Sequence, residues 1–471
     1  MIDTTEGSLI KKSIAIAWPT VLQAILVNFY AFNDFFFVGK LNKPAATAAL
    51  SSCLALIIIQ FVWVRIVPGG ATTLIAQFTG AKKPERVASL FRQALVGSVF
   101  FSLSLSLVAL FGLDVLVNLN NVTPAVGEYV KEYMKVLLFG APAFAIMLVV
   151  IGTFRARGNT LLPLLLEVLS LFVNTILNYA LVLGNLGAPQ MGVEGAAIAT
   201  LVSRGLPGLI GLIYIFRGSL GFDPRVMEEK KAGLWDWIPN KRDFPRILKI
   251  GFFDSMSGAV YGAAYLMLNR IAGEIGPAAQ GGLGVGLRGI EWIAFAFSDG
   301  FMTTAITVVG QNIGAGKKKR ALKGAILNAL MSAFACQVVA LLFLFFPREL
   351  TGLVTSDPGT TEYAVVYIKL IGWFMWAVGL EMAFYGAFVG AGRTTVTFFL
   401  GFVLNFARVP LAVALLFGFD NLISGSAWAM FDIGEAPQVV GTFEAIVWAI
   451  AATAVLKALF YGVYLGIRRR F

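Results

Sequence analysis

Long apolar stretches separated by short polar ones run the whole length of the chain. About 20 apolar residues carry a helix across a bilayer, and twelve stretches meet that length. They cover roughly 11–38, 46–79, 86–112, 126–154, 161–184 and 192–216, then 245–271, 278–311, 321–346, 362–390, 394–418 and 443–466. The pattern predicts an all-α membrane protein of twelve transmembrane helices. Several stretches exceed about 25 residues, which calls for tilt, kinks or helix extending beyond the lipid. Pro19, Pro68 and Pro410 fall inside predicted spans. Each removes a backbone donor and predicts a kink, whether as a hinge or as an irregularity that neighbouring helices absorb.

A second pattern lies over the first. The stretch Ala76-Gln77-Phe78-Thr79-Gly80-Ala81-Lys82-Lys83 returns as Gly310-Gln311-Asn312-Ile313-Gly314-Ala315-Gly316-Lys317, with Gln77 and Gln311 separated by 234 positions. The same offset relates Gly39 to Gly273, Gly158 to Gly392, Thr160 to Thr394 and Gly184 to Gly418. A constant offset of half the chain is a duplication signature. Six spans per copy return the chain to its starting side, so the two six-helix repeats are parallel. They are expected to be related by a pseudo-two-fold axis along the membrane normal, with a cleft between them. The expected division is an N-lobe at 1–216, a linker at 217–244 and a C-lobe at 245–471. An extra stretch, 419–440, has no counterpart in the first copy.

Composition narrows the solvent and the chemistry. The chain of 471 residues is 58% hydrophobic and 13% charged, against about 25% charged in an average soluble domain. That much apolar residue needs lipid around it. Cys53 and Cys336 both sit in apolar runs, so neither a disulfide framework nor a CxxC metal site is available. Histidine is absent, which removes the commonest metal ligand and leaves proton chemistry to carboxylates. The first seven residues are polar and acidic, unlike the basic start of a cleaved signal.

Basic residues are strongly asymmetric. Lys11, Lys12, Lys82, Lys83, Arg86, Arg92, Arg155, Arg157, the linker set, Lys317 to Arg320, Lys323, Arg393 and Arg468 to Arg470 fall on one side. Lys40, Lys43, Lys131, Lys135, Arg270, Arg348 and Lys369 fall on the other. The positive-inside rule puts the rich side, the linker and both termini in the cytoplasm. The net charge of +11 is thereby explained by topology rather than by nucleic-acid binding.

Six short pieces, in order on this frame, carry a family resemblance. They are Asp34-Phe35-Phe36-Phe37-Val38-Gly39-Lys40-Leu41, Thr73 to Gln77 continuing through Gly80-Ala81, Arg157-Gly158-Asn159-Thr160, Gly192 to Thr200, Gly310-Gln311, and Arg408-Val409-Pro410. On them the chain resembles the multidrug and toxin extrusion (MATE) transporters of the MOP exporter superfamily over nearly its whole length. The resemblance implies a V-shaped pair of six-helix bundles in the plasma (inner) membrane. It also implies alternating-access antiport of amphipathic, often cationic compounds against H+ or Na+. No cofactor, no catalysis and no nucleic-acid partner are expected; small amphipathic substrates, membrane lipid and a monomeric state are. The alternative within the superfamily is a flippase of lipid or lipid-linked oligosaccharide, which often has fourteen spans and a basic cavity.

Ionisable groups inside a span cost about 2.5–3.5 kcal/mol on insertion scales and so call for a functional account. Asp34 lies within span one beside Tyr30 and Asn33. Burial raises a carboxyl's pKa and a nearby cation lowers it, which is the physics of a reversible proton site; permanent pairing with Arg65 is the structural alternative. Asn174 and Asn178 lie four apart, hence on one helix face, and with Asp34 they offer oxygens to a small hard cation or bond neighbouring helices together. By resemblance Asn174 matches the first member of the family's Asn-xxx-Asp pair, Asn178 replaces its aspartate, and Thr200 completes the site. Losing that charge weakens a sodium reading. Arg65 and Asp299 are equivalent across the 234 offset with opposite signs. They either meet across the cleft or, as expected here, pair within their own halves, Arg65 with Asp34 and Asp299 with Arg288 or Arg408. Asp254 and Glu381 are candidate cleft carboxylates for a cationic substrate, and Tyr30, Tyr261 and Trp292 are candidates to stack on one. Glu167 is expected at the interface.

Overall fold

The computed structural model describes residues 1–119, 122–218, 237–424 and 442–468. All regular structure among them is helical. The first half comprises α1 (Leu9–Gly39), α2 (Pro44–Val64), α3 (Ile66–Gly80), α4 (Pro84–Phe111), α5 (Leu113–Leu119), α6 (Pro124–Phe139), α7 (Ala141–Ala156), α8 (Leu161–Leu177) and α9 (Gly192–Phe216). The second comprises α10 (Phe244–Ile275), α11 (Pro277–Gly284), α12 (Trp292–Gly314), α13 (Lys318–Phe345), α14 (Pro347–Gly352), α15 (Pro358–Gly372), α16 (Met375–Gly390), α17 (Thr394–Phe417), α18 (Phe419–Ser424) and α19 (Glu444–Arg468). Wide π-helical turns follow α8 at Asn178–Val182 and α11 at Val285–Glu291.

Nine helices among the described residues are long and apolar enough to cross a membrane, or eleven when each of two bent pairs counts as one span. The twelfth expected span is α10. Its 32 residues suffice in length, but Arg246, Lys249, Asp254, Arg270 and Glu274 dilute its apolar character. Large apolar side chains face outward in numbers that a water-soluble surface does not tolerate. Phe100, Phe111, Phe139, Phe334 and Trp373 are examples, with Phe111 90% exposed.

Three predicted spans are broken. The second stops at Val64 and restarts at Ile66. Pro68 has no N–H to offer the carbonyl four residues back, at Val64, so the ladder is interrupted there. The fourth bends by 51° at Gly140, and the tenth by 64° between α15 and α16. Pro142 stands at the first bend; no proline stands at the second. Helices α1 and α17 run unbroken through Pro19 and Pro410.

The 234 offset reappears in the helix boundaries. Pro84–Phe111 recurs as Lys318–Phe345, Leu113 as Pro347, Pro124 as Pro358, and the α7 end Ala156 as the α16 end Gly390. Residues 219–236 of the expected linker, 425–440 of the expected extra stretch with residue 441 after it, and the chain end at 469–471 lie outside the described residues.

The chain packs as two compact units, and these do not divide at the linker. One holds Met1–Ser255 with Ile306–Lys317 and Val389–Thr394; the other holds Met256–Ala305, Lys318–Phe388 and Thr395–Phe471. Within the first unit, the repeated Gln–Gly stretches meet each other. A Cβ on Gly80 would lie inside 3.0 Å of the Gln311 backbone, and one on Gly314 inside 3.0 Å of the Gln77 backbone. Only glycine permits that approach. The glutamines then reach past one another, Gln77 donating to the Gly390 carbonyl at 2.9 Å and Gln311 to the Ala156 carbonyl at 3.0 Å. Both acceptors end their helices, where carbonyls lack intrahelical partners.

The N-terminal residues strap this crossing. Thr4 donates through N and Oγ1 to Gln311 Oε1 at 3.0 and 2.8 Å, and Ile2 N donates to Gly158 O at 3.2 Å. Burial acts to raise the pKa of Asp3, but hydrogen bonds from Thr5 and the charges of Lys12 and Lys82 hold it below its usual value. At the linker's far end, Asp243 pairs with Arg86 at 2.7 Å and is itself buried.

Replacing Gly80 by Ala should lower stability by about 1–3 kcal/mol through overpacking. Gly39→Ala, where an added Cβ meets nothing within 4 Å, should leave the melting temperature near wild type. Equal melting of the two variants in detergent would show that the crossing tolerates a side chain.

Candidate cation site in the first half

Four helices of the first unit converge on Asp34. Tyr30, Asn33 and Asp34 occupy one face of α1, at spacings of three and four residues. Ser170 and Asn174 of α8 and Asn178 of the π-helical turn that continues it repeat every four residues and are fully buried. Helix α9 brings Thr200, Ser203 and Arg204, and α6 brings Tyr133. Asn178 opens the π-helical turn, a local widening found often at functional positions.

The Asp34 carboxylate is 5% exposed and accepts three hydrogen bonds. Asn178 Nδ2 donates to Oδ1 at 2.8 Å, and Thr200 Oγ1 and Tyr133 OH donate to Oδ2 at 2.8 and 3.2 Å. Asn178 Nδ2 also donates to Asn174 Oδ1 at 3.2 Å, and that oxygen accepts from Asn33 Nδ2 at 2.7 Å. Two acceptors thus fix the Asn178 amide, and its Oδ1 remains buried without a hydrogen-bond partner. No ion pair reaches Asp34 among the described residues. The Arg204 guanidinium of α9 stacks on the Tyr30 ring at 4.1 Å. A carboxylate, an unused amide oxygen and a hydroxyl in one buried place form an all-oxygen donor set suited to a hard cation or a proton.

Several expected pairings are corrected. Arg65 pairs with Asp254 of α10 at 3.7 Å, not with Asp34 or Asp299. Break and pair go together, because Arg65 stands at the interruption between α2 and α3. Asp254 is therefore engaged by a protein cation at a buried position rather than held open for a substrate. Asp299 is half-buried and Arg288 exposed, and neither Arg288 nor Arg408 forms an ion pair with Asp299 among the described residues. Tyr30 is buried and bonds Ser170, whose hydroxyl donates to Ser203 O at 2.5 Å. It belongs to the wall behind Asp34. Glu167 is buried among side chains and accepts from Gln23 Nε2 at 3.2 Å, while Arg155 holds the other end of Gln23 at 2.7 Å.

The second unit has its own polar cluster. Glu381 of α16 pairs with Lys457 of α19. Tyr367 OH donates to Glu291 Oε2 at 2.5 Å, and Arg408 Nε donates to Thr453 Oγ1 at 2.7 Å. Arg408 also faces the rings of Tyr261 and Tyr265 at 5.5 and 5.4 Å. Sequence reasoning missed Tyr133, Arg204, Glu291 and Lys457. The last three were legible as lone ionisable residues in apolar runs, the signal that marked Asp34. Tyr133 carries no such mark.

Long apolar helices, outward-facing aromatic residues and a buried ionisable cluster together define a multi-pass membrane protein. The sequence model described as MatE matches residues 19–180 and 256–414, and the chain belongs to that family, the MATE transporters of the MOP superfamily. Its members are transporters, not enzymes. The chain is 29% identical to a probable multidrug resistance protein NorM of Thermotoga maritima, covering 89% of this chain and 88% of the relative. It is 22% identical to the multidrug export protein MepA of Staphylococcus aureus, over 90% and 91% of the two chains. A crystal structure of a MATE protein in complex with MaL6 superposes with a TM-score of 0.84 at 18% identity, covering 99% of this chain and 97% of that one, which shows the shared fold.

Tyr133→Phe should remove one of the three bonds to Asp34 and cost about 0.5–1.5 kcal/mol. Thermal melting checks it; a variant as stable as wild type would mean that Tyr133 does not hold the carboxylate.

Proposed function

We propose that this protein exports amphipathic organic compounds, cationic ones among them, by alternating access, and that the driving cation binds at Asp34 with Asn174, Asn178 and Thr200. The observation that carries the proposal is the buried Asp34 carboxylate, hydrogen-bonded from three helices yet without a cationic partner among the described residues. A coupling site must load and unload its ion. A carboxylate permanently neutralised by arginine could not, whereas one held by neutral donors can exchange a proton or a small cation. Protons are favoured over sodium because Asn178 brings an oxygen but no second charge.

The proposal includes twelve spans in two repeats related by an axis along the membrane normal, a monomer in the inner membrane, and cytoplasmic termini. The recurring helix boundaries support the repeat. The names of the NorM and MepA relatives support efflux as the activity.

Asp34→Asn keeps the shape and removes ionisation. Dye efflux from energised vesicles should fall to background while the variant melts near wild type, and collapsing the proton gradient should matter more than collapsing the sodium gradient. Wild-type efflux by Asp34→Asn, with loss in Glu381→Gln, would move the coupling site to the second half. A reporter fused after Phe471 should be active only in the cytoplasm, as the basic asymmetry requires; periplasmic activity would invert the topology.

A further inference from the structure

The second unit places four charged side chains around a small internal cavity with the room of about one water molecule. Glu291, Glu381 and Arg408 line it, together with Tyr261 and Tyr265. Lys457 adjoins it through its ion pair with Glu381 and lies with its ammonium 5.9 Å from the Tyr261 ring centre. Its side chain is 2% exposed and that of Glu381 13% exposed. A carboxylate beside a tyrosine face is the chemistry that holds a monovalent cation. Here the cation is covalently part of the chain.

Charge balance points the same way. With both carboxylates ionised, Glu291, Glu381, Arg408 and Lys457 sum to zero. Arg408 forms no ion pair with Glu381 among the described residues; its Nε donates to Thr453, and Lys457 alone contacts the carboxylate as a cation. Without the lysine the group would carry one net negative charge, in a place where an uncompensated charge is strongly unfavourable.

We propose that Lys457 is a tethered counter-ion filling a monovalent-cation site made by Glu381 and the Tyr261 ring, so that an external cation is excluded from this half. Lys457 thereby acts as a specificity-determining residue. It leaves cation exchange to sites elsewhere in the protein, and it does so whether or not Asp34 is one of them. Removing the lysine side chain should uncover a site for a small free monovalent cation, sodium or a short alkylammonium. Removing the carboxylate as well should abolish it.

The test uses full-length purified protein in detergent, as wild type, Lys457→Ala, and Lys457→Ala combined with Glu381→Gln. Each is melted in sodium, ethylammonium or N-methylglucamine chloride at equal ionic strength. The Lys457→Ala variant should melt several degrees higher in sodium or ethylammonium than in the bulky N-methylglucamine salt, beyond any difference the wild type shows. The double variant should lose that gain. A plain structural ion pair predicts no such selectivity, because lost packing is not restored by a free cation. Equal melting of Lys457→Ala in all three salts overturns the proposal. So does a gain that survives in the double variant, or failure to recover folded Lys457→Ala in any of the three salts, since a free cation should then have taken the place of the ammonium.

Discussion

Polar groups taken out of water must find their partners inside the protein, and in an apolar surround no solvent corrects a failure. The fold meets this demand at helix ends and inside helices by different means. At the ends of α7 and α16, Gln311 and Gln77 supply donors to the Ala156 and Gly390 carbonyls. They reach them because Gly80 and Gly314 let the backbones close to a distance that any side chain would prevent. The repeated stretch is thus a reciprocal clasp, in which each copy satisfies the helix end that the other half presents.

Inside the helices the same demand sorts the charges into two kinds. Asp254 and Glu381 receive protein cations, from Arg65 and Lys457, and are neutralised where they stand. Asp34 receives only neutral donors, from α6, α8 and α9. A group satisfied by hydrogen bonds alone keeps its charge available for exchange, whereas a paired group must first give up its partner. That difference, rather than burial, distinguishes Asp34 from Asp254 and Glu381, since all three are largely shielded.

The serine, asparagine and threonine residues around Asp34 sit at helical spacing, so each helix offers a polar stripe within an otherwise apolar surface. Stripes of this kind direct which faces meet, because a misrotated helix would strand its amides in lipid. The π-helical turn at Asn178 changes the helical register immediately after the site. It leaves the Asn178 amide between Asp34 and Asn174, with one oxygen unused.

The chain's own sequence determined the helices, their approximate ends and the membrane surround, because apolar length is a property of neighbouring residues and simple counting. It also marked Asp34, Asn174, Asn178 and Thr200 as one group, since helical spacing put each on a definite face and the family's motif named the set. Tertiary structure alone decided who pairs with whom. Arg65 chose Asp254 over Asp34, Glu381 met a lysine 76 positions away, and Tyr133 reached Asp34 from a helix whose charged residues, Glu128, Lys131, Glu132 and Lys135, gave no sign of it. The break at Arg65 and the bends at Gly140 and beyond α15 belong with these. Local pattern specifies a helix and its faces; the partner of a buried charge depends on how whole helices rotate and cross, and that is settled only when every polar group in the unit has been satisfied at once.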